Sequence, residues 1–462
     1  MNKMIMLHTG PWGAEQMRGI AAGFDKGAPN RIASLYSQCD DTGLFRIFAD
    51  ELKNERQNER HTPAPDDLEA IRRCRFLRKL PISRALSHWK AIGKAWIRVL
   101  DANPPYVVIS ELMDSYIIDS LQKECALRDI PFLGLVTSFV NGYFRATTYG
   151  EYRFCRKPSE AEVDYVTRSL IDKAYKPQFI SLSEQQFRRQ VIYRWAKNIG
   201  RVVGLGALTL IPKYRRINML YGGFKTATEW LHLIPRVSLG QTDWRKKYAF
   251  PGKPVIYVPL QHVPEATIDY WCHNVAYIDY ENVLYQLIEN YSEQFNFLLK
   301  EHPNVLGLRN RQFYDRFEKH PAVAFAQTTA SSNDLIEESD AILVWTGSAG
   351  FEAALRGKPV LMMTPVYYMS GDRFMVLSEA TCASQVFDFI ELVNARPVTR
   401  MEQLKMVNHL LSGLVEGSIA FVRNFEAVKT RYTSPQIVGE HLRLVFDRRP
   451  DSWSNGRDSR VN

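Results

Sequence analysis

The chain has 462 residues, of which 45% are hydrophobic and 24% are charged, so its composition is that of an ordinary globular protein. A length so far above the size of one hydrophobic core predicts two domains. The 59 Lys and Arg residues outnumber the 50 Asp and Glu residues, and the net charge of +9 favours an anionic partner: a nucleic acid, a phosphorylated small molecule or the inner face of a membrane.

The six cysteines indicate neither a disulfide framework nor a zinc site. They lie without CxxC or other metal-ligand spacing at Cys39, Cys74, Cys125, Cys155, Cys272 and Cys382. The apolar stretch Met1–Leu7 is too short for a signal peptide, and no apolar run reaches the roughly 20 residues of a membrane span. The sequence therefore predicts a protein of the reducing cytoplasm.

The first part of the chain alternates apolar strands with helices. The predicted elements are the strand Met4–Leu7, the helices Ala14–Phe24 and Ile82–Leu100, the strand Tyr106–Ser110, the helix Asp114–Arg128 and the strand Phe132–Val136. Strands that alternate with helices form a parallel sheet. The pattern predicts an α/β domain over residues 1–158, with a charged surface stretch at Glu51–Asp67.

Residues 159–250 are predicted to be a helical, basic insertion between two domains. From Gln185 to Thr228 there is no acidic residue, whereas the basic residues are Arg188, Arg189, Arg194, Lys197, Arg201, Lys213, Arg215, Arg216 and Lys225. No nucleic-acid-binding motif accompanies them, so we predict no nucleic-acid partner. The segment is either a solvated helical face or a contact with the anionic inner membrane, and we prefer the membrane as its functional interpretation.

Strands and helices alternate again over residues 251–400. The predicted elements are the strand Val255–Val258, the helix Tyr280–Tyr291, the strand Asn296–Lys300, the helix Arg311–Lys319, the strand Ala322–Phe325, the helix Ser332–Glu338, the strand Ala341–Val344, the helix Phe351–Arg356 and the strand Pro359–Met363. This series predicts a second parallel sheet. Residues 401–446 are predicted to be helical and residues 447–462 to be disordered.

Ligands of an open parallel sheet bind at the carboxyl ends of its strands, so the residues that follow the strands are candidate site residues. They form three groups behind three strands: Gln261 and Glu265; Lys300, His302 and Pro303; and Thr346, Gly347, Ser348, Gly350 and Glu352. We expect the three groups to converge on one edge of the sheet.

The third group is typical of a phosphate-binding loop, because small residues at a helix start expose backbone N–H groups to an anion. Thr346 and Ser348 add hydroxyl groups, Lys300 and His302 add basic donors, and Glu352 is placed to accept a hydrogen bond from a ribose hydroxyl. Structural alternatives stay open. Thr346 is equally suited to cap the helix, Glu352 to match its dipole, and His302 to be an ordinary structural residue.

Four segments occur in a fixed order: Tyr257–Ala266, the motif Lys300-Glu-His-Pro303, Asp334–Ala341, and the run Thr346–Pro359 that begins Thr-Gly-Ser-Ala-Gly. Together they resemble the bacterial capsule polysaccharide biosynthesis family, which is related to the Kdo transferases that build capsule linkers. The resemblance covers roughly a quarter of the chain, and the ordered set is more specific than any single motif.

The resemblance implies a GT-B fold: two Rossmann-like domains that face each other across a cleft, with the donor on the C-terminal domain and the acceptor on the N-terminal domain. It also implies that His302 and Pro303 contact the donor nucleotide, and that Thr346 and Ser348 form a hydroxyl-bearing loop. Related families with a His-Pro motif often use CMP-activated acids such as Kdo or sialic acid, which makes CMP-Kdo or another CMP-sugar the expected donor.

The N-terminal half lacks matching motifs, so its catalytic residue is predicted from position. Glu111 follows the strand Tyr106–Ser110, and Asp114 lies one helical turn further on. A carboxylate there is placed to deprotonate an acceptor hydroxyl or to stabilise an oxocarbenium-like centre. His8, in the loop after the first strand, is the alternative base, and Glu111 is equally consistent with a carboxylate that only begins a helix.

The sequence thus predicts a cytoplasmic glycosyltransferase, peripheral at the inner membrane, that transfers a sugar from a nucleotide-sugar substrate to a polysaccharide or lipid-linked acceptor. No DxD motif of the metal-binding kind is present, so we expect no metal and no cofactor. Two alternatives stay open: a nucleotide-sugar 2-epimerase with the same architecture, and a non-catalytic scaffold of a capsule assembly or export complex.

Overall fold

The computed structural model describes residues 4–10, 13–57, 62–175, 177, 184–210, 240, 243–263, 265–302, 309, 311–421 and 429–448. Over these residues the chain forms two six-stranded sheets. The strands are β1 (Ile5–His8), β2 (Asn30–Ala33), β3 (Val107–Glu111), β4 (Phe132–Thr137), β5 (Tyr143–Thr147), β6 (Val255–Pro259), β7 (Asn296–Lys300), β8 (Val323–Phe325), β9 (Ala341–Val344), β10 (Val360–Met362), β11 (Phe374–Val376) and β12 (Val415–Glu416).

Helices cover the two sheets and link their strands. They are α1 (Ala14–Phe24), α2 (Leu44–Gln57), α3 (Pro65–Arg73), α4 (Ile82–Ala102), α5 (Tyr116–Leu127), α6 (Glu160–Ile171), α7 (Glu184–Leu210), α8 (Ala266–Asp269), α9 (Tyr280–Tyr291), α10 (Arg311–Glu318), α11 (Ser332–Glu338), α12 (Ala349–Leu355), α13 (Ala383–Asn394), α14 (Arg400–Ser412) and α15 (Pro435–Asp447). Short 3₁₀ turns lie at Leu77–Lys79, Trp244–Lys247, Val275–Ile278 and Lys429–Arg431.

The N-terminal sheet has the strand order β12-β5-β4-β3-β1-β2. Strands β2, β1, β3 and β4 are parallel, whereas β5 runs antiparallel to both β4 and β12. The apolar residues of the central strands, Ile5–Leu7 and Val107–Ile109, are fully buried because helices cover both faces of the sheet. Burial on both faces explains why these strands are continuous apolar runs in the sequence instead of alternating patterns.

The C-terminal sheet is parallel throughout, with the order β11-β10-β9-β6-β7-β8. Its central strands are again continuous buried runs, Ile256–Val258 and Phe297–Leu299. The sequence predicted this series well, since β7, β9, α9 and α11 have the predicted bounds. Together, two parallel-rich α/β sheets confirm the predicted fold class, the two Rossmann-like units of the GT-B fold.

The charged stretch Glu51–Asp67 was predicted to lie on the surface, and this prediction was wrong for the part in helix α2. Glu51 and Glu55 are buried there, with exposures of 3% and 1%. They form ion pairs with Arg98, at 2.5 Å, and Lys94, at 2.6 Å, on the neighbouring helix α4. The partners on α4 compensate these carboxylates, which the local sequence of α2 does not reveal.

The end of the chain returns to the N-terminal domain. The segment 401–446, predicted to be helical, contains α14 and α15, and it also contributes β12 to the N-terminal sheet. Helix α15 packs closely on α1, where a Cβ added to Gly23 would lie 1.9 Å from the carbonyl oxygen of Gln436. Glycine at this position therefore permits the close approach of the two helices.

The predicted basic insertion is helical over α7, and its part at 211–239 lies outside the described residues. The tail predicted to be disordered lies outside them from residue 449 onward.

Candidate functional site

Gln261 and Gly347 meet at the topological switch point of the C-terminal sheet. From the central strand β6 the chain builds β7 and β8 on one side, then returns to the other side with β9. Gln261 follows β6 and Gly347 follows β9, and a Cβ added to Gly347 would lie 2.5 Å from Gln261 Nε2. Ligands of open α/β sheets bind at this kind of position.

The loop after β9 contains a buried hydroxyl group without a partner. Thr346 is 7% exposed, and its Oγ1 atom has no hydrogen-bond partner among the described residues. The residue that precedes helix α12 is Ser348, whose Oγ donates to Glu352 Oε1 at 3.2 Å, so Thr346 is not the helix cap. Gly350 allows tight packing, since an added Cβ would lie 2.9 Å from Tyr368 Oη. The unpartnered hydroxyl indicates a ligand site.

A buried ammonium group and a half-buried carboxyl group flank this loop. Lys300 Nζ donates to Ser332 Oγ at 3.1 Å, and burial lowers the pKa of Lys300 to about 8, with Glu352 opposing the shift. Burial also raises the pKa of Glu352, which Arg356 opposes. The charge at this edge is therefore sensitive to a bound anion.

A fully buried ion pair holds two loops of the site together. Glu301 accepts hydrogen bonds from the His302 backbone N–H at 2.7 Å, from Tyr314 Oη at 2.7 Å and from Arg309 Nε at 2.9 Å. Arg309 also donates Nη2 to the carbonyl oxygen of Gln261 at 2.9 Å. The pair thereby connects the loop that carries His302 with the loop that carries Gln261.

His302 is neutral at pH 7. Burial, together with a smaller contribution from the His262 ring, lowers its pKa to about 4; the two rings are perpendicular at a centroid distance of 5.7 Å. A neutral imidazole offers one N–H donor without a charge. Glu265 directly precedes helix α8, and its Oε2 accepts a hydrogen bond from Thr267 Oγ1 at 2.8 Å. Pro303 lies outside the described residues.

The N-terminal sheet has a switch point of the same kind, between β1 and β3. Glu111 ends β3 there and accepts hydrogen bonds from Thr9 Oγ1 and from the Gly10 backbone N–H, the latter at 3.1 Å. A Cβ added to Gly13 would lie 2.4 Å from Glu111 Oε1. Burial raises the pKa of Glu111, the two hydrogen bonds oppose this shift, and Asp114 adds to it.

His8 and Asp114 flank Glu111 in different environments. His8 is 7% exposed, packs edge-on against Trp96 at 5.9 Å, and lies with Nδ1 3.3 Å from Ser110 Oγ. Burial lowers the pKa of His8 to about 4. Asp114 keeps a solvent-exposed surface, yet the protein around it desolvates the carboxyl group and raises its pKa.

Buried contacts join the segment that follows β6 to residues 73–78 of the N-terminal domain. Asp269, which ends α8, is 1% exposed and accepts a hydrogen bond from Arg78 at 2.7 Å, while Arg75 Nε lies 3.5 Å away. Arg73 is also buried, and it donates to the carbonyl oxygens of Asp269 at 3.1 Å and Cys272 at 2.9 Å. The segment that follows β6 is therefore held on the N-terminal domain.

In the part of the chain that the structure describes, no three His, Cys, Asp or Glu side chains are grouped as metal ligands. Within the same residues, no helix is both long enough and apolar enough to cross a membrane.

Residues 199–372 match the family model described as capsule polysaccharide biosynthesis protein. The resemblance seen in the sequence motifs is thereby confirmed. The matched range contains Gln261, Lys300, His302, Thr346 and Glu352, and thus most of the candidate residues of the C-terminal domain. No curated protein matches the sequence.

Several solved structures are similar to this chain at low sequence identity. The beta Kdo 2,7 transferase of Thermosulfurimonas dismutans KpsC is 13% identical, with 95% of this chain and 98% of that chain covered and a TM-score of 0.39. The beta Kdo 2,4 transferase of the same protein is 15% identical, with 66% and 88% covered and a TM-score of 0.31. The UDP-GlcNAc 2-epimerase of Methanocaldococcus jannaschii is 11% identical, with 89% and 99% covered and a TM-score of 0.27.

The sequence found the strand ends but missed the residues that organise them. Glu301 lies inside the Lys-Glu-His-Pro motif, and its position in a buried strand end was a signal for a buried carboxylate. Arg309 has no such signal in the sequence. Thr9 and Gly10 were visible only as part of a Gly-containing loop after β1.

Proposed function

We propose that this chain is a metal-independent GT-B glycosyltransferase of capsule polysaccharide synthesis, which transfers a sugar from a nucleotide donor to a polysaccharide or lipid-linked acceptor. The observation that carries this proposal is the pairing of two switch points, one in each domain. The C-terminal point holds Lys300, His302 and Thr346, and the N-terminal point holds Glu111.

The C-terminal site suits a donor with a single phosphate. Lys300 is a buried cation that can balance one negative charge, and the neutral His302 and the unpartnered hydroxyl of Thr346 supply further donors. A CMP-sugar has one phosphate between the nucleoside and the sugar, whereas UDP-, GDP- and dTDP-sugars have two. We therefore propose a CMP-sugar as the donor, and the resemblance to the Kdo transferases favours CMP-Kdo among the CMP-sugars.

In the proposed reaction, the bond between the anomeric carbon of the sugar and the phosphate oxygen breaks, and CMP leaves. The oxygen of an acceptor hydroxyl bonds to the anomeric carbon, and its proton passes to the Glu111 carboxylate. The raised pKa of Glu111 suits this role, because a base works best when its pKa approaches the operating pH. Glu111 is preferred to His8, which is packed against Trp96 and bonded to Ser110.

The test is a panel of CMP-, UDP-, GDP- and dTDP-sugars with the purified protein, read by nucleotide release and by the identity of the sugar product. We expect release from a CMP-sugar, and a loss of release in His302→Ala. No binding or turnover of any donor contradicts the proposal. Isomerised sugar nucleotide without an acceptor favours the epimerase, and binding without turnover that is insensitive to Glu111→Gln favours the scaffold.

We also propose that helix α7 contacts the anionic inner membrane. Ile192, Ile199, Val203 and Leu210 are exposed and recur at intervals of seven, four and seven residues, which places them on one side of the helix. Lys197 and Arg201, five and nine residues after Ile192, lie on the opposite side of the helix. A helix with one apolar side and basic residues on its polar side is typical of a helix that lies in a membrane interface.

Vesicles of phosphatidylglycerol and phosphatidylethanolamine test this contact by co-sedimentation. Each cation contributes about 1 kcal/mol near an anionic surface, so Lys197→Gln with Arg201→Gln is expected to weaken binding about thirtyfold. The matched control is Lys26→Gln with Lys246→Gln, two lysines with side-chain exposures of 83% and 81% elsewhere on the surface. If both double substitutions weaken vesicle binding equally, α7 has no specific role in membrane contact.

A further inference from the structure

A groove of about 540 Å³ opens on the N-terminal domain. Its walls come from the turn between β4 and β5, from helix α6, from the end of β12 and from α15. Its volume is in the range of small-molecule binding sites. Its lining includes Asn141, Tyr143, Tyr165, Tyr175, Glu416 and His441.

The groove lies on the same sheet edge as Glu111. Strands β3, β4 and β5 are neighbours, with Glu111 opposite Leu135 on β4 and Thr137 opposite Phe144 on β5. Two strand spacings separate β3 from β5, so the groove begins roughly 10 Å from Glu111. It therefore lies beyond the reacting position instead of at it.

One end of the groove is linked to the donor side of the cleft. Tyr175 Oη donates to the carbonyl oxygen of Phe139 at 2.7 Å, and the Phe139 ring lies 5.7 Å from the ring of Phe351 in helix α12. The next residue of α12 is Glu352. Burial raises the pKa of Tyr175, and the charge of Glu352 adds to the shift.

The lining chemistry suits a carbohydrate. Sugar rings have apolar C–H faces, which stack on aromatic rings, and hydroxyl edges, which need polar partners. Tyr165 has an exposure of 66% although it lines the groove, and Tyr143 is held in place by a hydrogen bond from its Oη to Glu162 at 2.7 Å. Asn141 and His441 add polar groups to the lining.

The charges in the groove disfavour a phosphate. Glu416 is in the lining, and Glu162 lies directly behind Tyr143. Arg156 is already paired with both of these carboxylates. An additional anion would meet this neutralised guanidinium and the exposed Glu416, whereas hydroxyl groups can donate to the same carboxylate.

We infer that this groove binds the acceptor saccharide, at the sugars that precede the reacting residue. Because the groove begins beyond Glu111, it favours an acceptor that is an oligosaccharide or polymer over a monosaccharide. This inference rests on the proposed glycosyltransferase function and narrows its acceptor to a saccharide chain bound in this groove.

The test measures binding of the full chain to an array of bacterial surface glycans that are one to six sugar residues long. We expect binding only to glycans of two or more residues, and at least a tenfold loss in Tyr165→Ala. Tyr165→Phe keeps the ring and is expected to keep binding. The matched control is Tyr193→Ala, since Tyr193 has a similar exposure of 64% but lies on helix α7.

The inference is overturned if no glycan binds, if monosaccharides bind as well as longer chains, or if Tyr165→Ala binds as strongly as the unmodified chain. Its failure is separable from that of the proposed function. If Tyr165→Ala leaves sugar transfer unaffected at every acceptor length, the groove is not an acceptor site, and the proposed transferase function still holds. If glycans bind in a Tyr165-dependent manner but no donor is turned over, the proposed transferase function is contradicted, and the saccharide site still holds.

Discussion

The two domains of this protein have the same topology at their centres but opposite chemistry. In each sheet the first strand of the chain has a neighbouring strand on both sides, and a switch point opens beside it. The N-terminal switch point presents the carboxylate of Glu111, held by Thr9 and Gly10. The C-terminal one presents the ammonium group of Lys300 and the neutral ring of His302.

The difference shows that the shared topology fixes where a ligand binds, and that the residues after each strand decide which ligand it is. A carboxylate with a raised pKa suits proton transfer, whereas donors around a buried cation suit a phosphate leaving group.

The buried pair Glu301–Arg309 should be the main stabilising contact of the C-terminal site. Glu301→Gln leaves the guanidinium of Arg309 buried without its closest counter-charge and should destabilise the C-terminal domain by about 3–5 kcal/mol. Urea unfolding measures this loss. Asp372→Asn, which breaks the exposed pair with Arg396, is the control, and we expect at most about 0.5 kcal/mol for it. Similar losses in both variants would show that the buried pair has no special role.

Glu111→Gln should abolish most of the sugar transfer without weakening donor binding. The amide keeps the size of the side chain but cannot take the proton of the acceptor, so kcat should fall about a hundredfold to a thousandfold. Donor affinity should be unchanged, because Glu111 lies in the other domain. Steady-state kinetics and calorimetry with a CMP-sugar measure the two effects. A parallel loss of donor affinity would break the proposed division between the domains.

His302→Ala should weaken donor binding. Loss of one hydrogen bond to the phosphate is expected to weaken CMP binding about tenfold, and His302→Gln should recover part of the affinity because its amide keeps an N–H donor. Since the pKa of His302 is about 4, affinity should not change between pH 5.5 and pH 7 through this residue. A steep dependence in that range would show that a charged imidazole binds the donor.

Lys300 should make CMP binding weaker at high pH. Its pKa of about 8 means that the ammonium group is mostly protonated at pH 7 and mostly neutral at pH 9. If only the protonated form binds, affinity should fall about tenfold between these values. Lys300→Arg keeps the charge and should flatten the profile, as measured by calorimetry at fixed ionic strength. If CMP affinity depends on pH in the same way in both proteins, Lys300 does not bind the phosphate.

Much of the fold was predictable from local patterns. Continuous apolar runs such as Val255–Val258 identified the central strands, and the groups after β6, β7 and β9 identified the edge where Gln261 and Gly347 meet. The short outer strands β2, β5, β11 and β12 were not predicted. Strands of two to five residues with mixed polarity carry little periodic signal, and β12 is defined mainly by its partner β5.

Local patterns in the sequence predicted most of the parallel strands of both sheets, the capsule polysaccharide biosynthesis motifs and the candidate residues at the strand ends, because buried strands and the residues that follow them are recognisable within short segments of the chain. Only the tertiary structure decided that Arg309 joins the loops of Gln261 and His302, that Thr346 has a buried hydroxyl, and that the chain end completes the N-terminal sheet. These contacts depend on groups that are far apart in the sequence, or on side chains whose partners are set by packing.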